Sequence, residues 1–135
     1  MAKYLTQKQI KAAAKAGLVE ALECSRIHWR QLEAAGPGDF WHEMRKTVVE
    51  TRISYGYRHC ALCHRYGDLK NDVFPDCSRC VLVDRKACCP EYWTAVDAID
   101  FEEAHVEWSP KALIAIRGMI ARLTKEIRKA KRRKK

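Results

Sequence analysis

The stretch "CALCHRYGDLKNDVFPDCSRC", residues 60 to 80, followed at 88 to 93 by "CCPEYW", holds six of the chain's seven cysteines. From 56 to 89 the apolar residues show no helical period, and Gly56, Gly67, Pro75 and several Asp and Asn interrupt the chain. The segment therefore reads as loops with at most a short hairpin, too polar to fold by burying a core of its own. Cys60-x-x-Cys63 and Cys77-x-x-Cys80 form two pairs separated by thirteen residues. In such a turn both sulfurs project to one side and occupy two vertices of a tetrahedron, so two turns close a four-thiolate shell around one Zn²⁺. A closed shell leaves no vertex for water, which makes the expected zinc structural rather than catalytic. Arg58, Arg65, Arg79, Arg85 and Lys86 lie near the cluster in sequence and would offset its negative charge. Cys88, Cys89 and His64 are alternative ligands, while Cys24, alone on a helical stretch, reads as a core residue.

Working outward, helical patterns flank the cysteine segment on both sides, which predicts a mainly α protein with an inserted, irregular zinc-knuckle module. "TQKQ" at 6 to 9 has the form of a capping box, with Thr6 and Gln9 exchanging side-chain bonds for each other's amides. Ile10, Ala13, Ala14, Leu18, Ala21, Leu22, Trp29 and Leu32 then recur at helical spacing, predicting one helix over 6–35 that "GPGD" at 36 to 39 stops. Phe40, Trp41, Met44, Val48 and Ile53 suggest a second helix over 40–54, capped by Asp39. Pro90 opens a third over 90–106, with Tyr92, Val96 and Ile99 inward. Ser109-Pro110 repeats the start signal, and Leu113, Ile116, Ile120, Leu123 and Ile127 follow at spacings of three and four, predicting a helix over 110–128 and a basic tail over 129–135. At 135 residues the whole forms one domain. Barely two heptads are present, so packing within a bundle is the simpler reading of the last stripe, and monomer and dimer both stay open.

The net charge of +9 is concentrated at one end of the chain. Lys125, Arg128, Lys129, Lys131, Arg132, Arg133, Lys134 and Lys135 face a single acid, Glu126, while the stretch from Glu91 to Glu107 holds six acids and no Lys or Arg. The basic end is an electrostatic footprint for nucleic acid, alone or within a host nucleic-acid-processing complex. The acidic stretch, with Trp93, Glu102, Glu103 and Trp108, is the candidate surface for a protein partner. Neither a run of about 18 apolar residues nor a secretory h-region is evident, so the expected location is the cytoplasm, with no membrane partner.

No catalytic constellation emerges. "CALCH" matches a c-type haem attachment pattern, but that chemistry belongs to exported proteins. The zinc-deaminase pattern fails because His105-Val106-Glu107 follows the cysteines instead of preceding them, and Asp76 stands before Cys77. Histidines 28, 42, 59, 64 and 105 form no H-E-x-x-H, and no βαβ pattern accompanies the cysteine pairs. The chain reads as a non-enzymatic binder.

"ALECSRIHW" at 21 to 29, "CALC" at 60, "CSRC" at 77 and "CCPEY" at 88 together resemble a family of small cysteine-rich phage and prophage proteins over roughly residues 18 to 95. Those proteins pair an Ala-Leu…Ser…His-Trp helix with a C-P-L-C turn, a C-x-x-C-P turn and a further Cys before Pro and an aromatic. Here Ala61 and Val81 stand where the family tends to have Pro, and both the 39–58 region and the basic tail look like additions. The resemblance implies a metal-binding accessory protein of a mobile element in a bacterial host, and it adds Cys88 as a ligand candidate. With it come two expectations of function: binding of nucleic acid through the basic tail, or inhibition of a host polymerase or a bacterial defence nuclease, CRISPR-type or other.

Overall fold

The computed structural model describes residues 4–37, 40, 53, 60–67, 80–83, 88–100 and 107–133. It is mainly helical, with α1 at Gln7–Ala16, α2 at Leu18–Ala35, α3 at Ala61–Tyr66, α4 at Pro90–Asp100 and α5 at Pro110–Arg133. Among the described residues no helix is long and apolar enough to cross a membrane.

The capping box forms as its sequence dictates. Gln9 N donates to Thr6 Oγ1 at 3.2 Å and Thr6 N donates to Gln9 Oε1 at 2.9 Å, which satisfies two amides the first turn would leave orphaned. The helix it opens does not run to Ala35, however. It breaks at Gly17, whose φ of 157° and ψ of 177° end α1, while the Gly17 carbonyl accepts from Ala21 N at 3.0 Å to start α2. A Cβ at this position would also run into the Glu20 carboxylate, so glycine suits the break on two counts.

α2 and α5 run antiparallel: Glu33 pairs with Arg117, Arg26 donates to Thr124, and Glu23 pairs with Lys131. Between them Leu22, Leu32, Ile116 and Leu123 are fully buried. α4 packs on α5, with Ile99 buried and Arg122 of α5 bridging Glu91 at 3.2 Å and Glu126 at 3.3 Å. α1 and α3 pack on each other, and both pack on α2. Ser109 caps α5 by accepting from Ala112 N at 3.2 Å. The predicted end of this helix at 128 is too early. Ile127 and Ala130 extend the buried stripe, and the helix continues to Arg133.

One other expectation changes, and another falls mostly outside the described residues. The segment 56–89 is not all loop, because α3 forms at Ala61–Tyr66. In the predicted 40–54 helix only Phe40 and Ile53 are described. They are joined by an isolated parallel bridge, which places neither in a helix. Residues 101–106 of the predicted 90–106 helix lie outside the described residues.

Trp108, expected as an interface anchor, belongs to the core. It is 5% exposed, meets Phe40 edge-on with ring centroids 5.7 Å apart, and donates from Nε1 to the Leu32 carbonyl at 2.9 Å. Leu32 lies in the last turn of α2, where a carbonyl has no partner within the helix, so the indole serves as a C-terminal cap. Trp108→Phe keeps most of the apolar volume but strands that carbonyl. We expect a loss of about 1–3 kcal/mol. In urea unfolding the midpoint should fall at constant m-value; an unmoved midpoint would mean that water replaces the indole without cost.

Candidate metal centre

Five of the six clustered cysteines carry side chains that sense one another. Cys60 precedes α3 in an extended conformation, with φ −106° and ψ 113°, and its sulfur accepts the amide of Cys63 at 3.4 Å. The sulfur thus takes the N-cap role that an oxygen usually fills, which is why a helix of six residues can start inside a segment without an apolar stripe. Ala61 and Leu62 on this turn are buried. On the second turn, Cys80 Sγ accepts the amide of Leu82 at 3.5 Å, and the Cys80 carbonyl accepts from Val83 N at 3.0 Å. Amides donated to sulfur on both turns are what paired thiolates need for charge stabilisation.

The electrostatics agree with this placement. A hydrogen bond from the Cys63 thiol, helped by backbone amides and by Ser25, brings the Cys60 thiol down from 9.0 to about 7 against the opposing effect of burial. Cys63 is pushed up, first by its hydrogen bond to Cys60, then by burial and by the charges of Cys60, Cys88 and Cys80. Cys88 is also pushed up, by its hydrogen bond to Cys89 and by burial, with the charges of Cys89 and Cys60 adding to both. Cys24 on α2 rises to about 11 through burial and the charge of Cys60. It is a core residue, as expected, but one that borders the cluster.

Among the described residues no group of three or more His, Cys, Asp or Glu is placed to hold a metal ion. Cys77, one of the four expected ligands, lies outside the described residues. The donor set nonetheless suits a thiophilic cation: Cys60, Cys63 and Cys80 come from both turns, and Cys88 is within electrostatic reach of Cys60 and Cys63. Of the two other alternative ligands, Cys89 stays within the cluster through a hydrogen bond with Cys88, whereas His64 contacts α1. Cys89 is fully buried with Sγ 3.7 Å from Met119 Sδ, and His64 Nε2 lies 3.2 Å from Gln7 Nε2.

Arg65, expected to offset thiolate charge, donates from Nη1 to the Ala14 carbonyl at 3.0 Å and so closes the C-terminal turn of α1. With Gln7–His64, it fastens α3 along α1. Arg58, Arg79, Arg85 and Lys86 lie outside the described residues.

The basic end of the chain is an ordered helical surface. Lys125, Arg128 and Arg132 follow one another at spacings of three and four on the exposed side of α5, and Arg133 is exposed beside them. Lys129 is 3.7 Å from Glu126, and Lys131 is 3.9 Å from Glu23. Lys134 and Lys135, like Glu102 and Glu103 of the acidic stretch, lie outside the described residues. Trp93 stays 47% exposed, edge-on to Tyr92 at 5.2 Å.

Sequence reasoning missed Ser25, which is buried on α2 with Oγ 4.0 Å from Cys60 Sγ. A signal was available, because Ser25 falls on the stripe between Leu22 and Trp29, where a polar residue needs a partner.

No protein-family model matches the chain, and the searches of curated proteins and of solved structures return no match.

In metal-free protein the depressed Cys60 thiol makes stability depend on pH. The folded chain releases this proton near pH 7, and the unfolded chain releases it near 9. Between those values the unfolded chain binds more protons, so Cys60 contributes stability that is fully present above about pH 9 and is lost as pH falls through 7. Thiolate absorbance at 240 nm should show a step near pH 7 that loses the amplitude of one thiolate in Cys60→Ser. A first step near pH 9 would refute this assignment.

Proposed function

We propose that the chain is a zinc-stabilised, non-enzymatic accessory protein of a phage or other mobile element, working in the bacterial cytoplasm by binding nucleic acid through α5. The observation that carries the reading is the row Lys125, Arg128 and Arg132. These are exposed cations on successive turns, and among the described residues no carboxylate pairs with any of them. Paired surface charges are largely spent on one another, whereas an unpaired row of cations is free to replace the counterions of a phosphate backbone. Because these cations stand on a packed helix, they are held in register without the entropy cost of ordering a coil. The phage assignment rests on the sequence resemblance alone.

Within this reading Cys60, Cys63 and Cys80 hold the zinc, with Cys77 or Cys88 as the fourth ligand. The ion supplies cohesion that the cysteine segment cannot draw from burial. The competing reading, a protein inhibitor with an acidic and aromatic surface, keeps Trp93, Asp97 and Glu107 exposed, while Glu102 and Glu103 lie outside the described residues. Trp108 is in the core.

Two measurements test the proposal. Binding of a fluorescent DNA duplex should weaken with salt along a log–log slope of roughly −2.7, or about forty-fold over a fourfold rise in salt, as expected when three phosphates are neutralised. Lys125→Glu/Arg128→Glu/Arg132→Glu should remove both the affinity and the slope; equal binding by wild type and variant would overturn the reading. Separately, native mass spectrometry should find one zinc per chain, and a strong chelator should lower the helical circular dichroism signal. Absence of metal, with an unchanged spectrum after chelation, would eliminate the staple.

A further inference from the structure

Ser25 is 2% exposed and lies on the buried side of α2, where a hydroxyl without a hydrogen bond is costly. Its Oγ lies 4.0 Å from Cys60 Sγ, a contact across thirty-five positions of sequence. Either atom can donate while Cys60 is a thiol. A thiolate has no hydrogen to give, so once Cys60 is deprotonated the hydroxyl must be the donor. The sulfur already accepts one amide, that of Cys63 at 3.4 Å, but this bond is internal to the turn and moves with it. The contact from Ser25 reaches the same sulfur from a core helix.

We infer that Ser25 is a positioning residue for the cysteine centre: its hydroxyl donates to the Cys60 sulfur and fixes that ligand relative to α2. The inference rests on the metal-binding reading above and extends it to a residue outside the cysteine segment. A donor to a metal-bound ligand both orients the ligand and tunes it, and losing such a donor typically weakens metal affinity by about 10- to 100-fold. A serine kept only for its small size would leave affinity untouched when its oxygen is removed.

The experiment is a cobalt titration of the full-length chain, read at the sulfur-to-cobalt charge-transfer band, followed by displacement with zinc. Ser25→Ala removes one oxygen and little volume, and circular dichroism will confirm its fold. We expect it to bind cobalt and zinc about tenfold more weakly, or worse, with a shifted charge-transfer band. Ser25→Thr, which keeps the hydroxyl, should restore the band position. Affinity and spectrum unchanged in Ser25→Ala, with normal uptake by the wild type, would overturn the role of Ser25 and leave the metal centre standing. Failure of the wild-type chain to take up cobalt would overturn both.

Discussion

Leu22 and Leu32 of α2 and Ile116 and Leu123 of α5 are all excluded from water, and they can be so only because the two helices lie antiparallel along much of their length. Each such side chain contributes about 1.5–3 kcal/mol on burial, so together they outweigh any single polar contact among the described residues. The polar links between the helices, Glu33 with Arg117 and Glu23 with Lys131, are partly exposed and act mainly on register. From this pairing two faces follow. The second side of α2 receives α1 and α3, and with them the cysteine turn. The second side of α5 presents Lys125, Arg128 and Arg132. One helix pair thus supports both features that carry the functional reading.

Helix starts were easier to read from sequence than helix ends, for a physical reason. A start is written in a few adjacent residues, as Thr6 with Gln9 and Ser109 before Pro110 illustrate, and in both cases the expected side chain makes the expected bond. An end depends on what the next turn packs against. Lysine and arginine after 128 suggest a solvated tail, but Ile127 and Ala130 still have α2 and the core beside them, so burial carries the helix to Arg133. At Gly17 the error runs the other way. The apolar stripe passes through the glycine uninterrupted, and only the backbone geometry reveals that the chain changes course there.

Trp108 was misjudged for a related reason. Its place beside the acidic stretch suggested a surface, yet its indole donates to a carbonyl seventy-six positions away in sequence. No local pattern announces such a pairing. The same is true of Ser25, of Arg65 closing α1, and of Cys60 as a helix cap. In each case a polar group completes an element to which it does not belong, or a cysteine does the work of an oxygen. Residue type alone does not suggest these roles.

The cysteines raise a different question, which is why several thiols should be gathered where they disfavour one another's ionisation. Cys63 and Cys88 are pushed toward the protonated form first by the hydrogen bonds they give to Cys60 and Cys89, then by burial and neighbouring charge, while Cys60 is eased toward ionisation by donated hydrogen bonds. For packing alone this arrangement has no advantage, since an aliphatic residue of similar size would bury as well without the hydrogen-bond demand. A cation among the sulfurs reverses each of these effects at once: mutual repulsion becomes shared attraction, and the amides and hydroxyl already aimed at sulfur become stabilising contacts to thiolate. The turns at Cys60 and Cys80 each aim a backbone amide at the sulfur, which is the contact a thiolate would use. Those donated amides are the physical ground for the metal proposal, and they stand beside a helical pair whose own cohesion comes from burial.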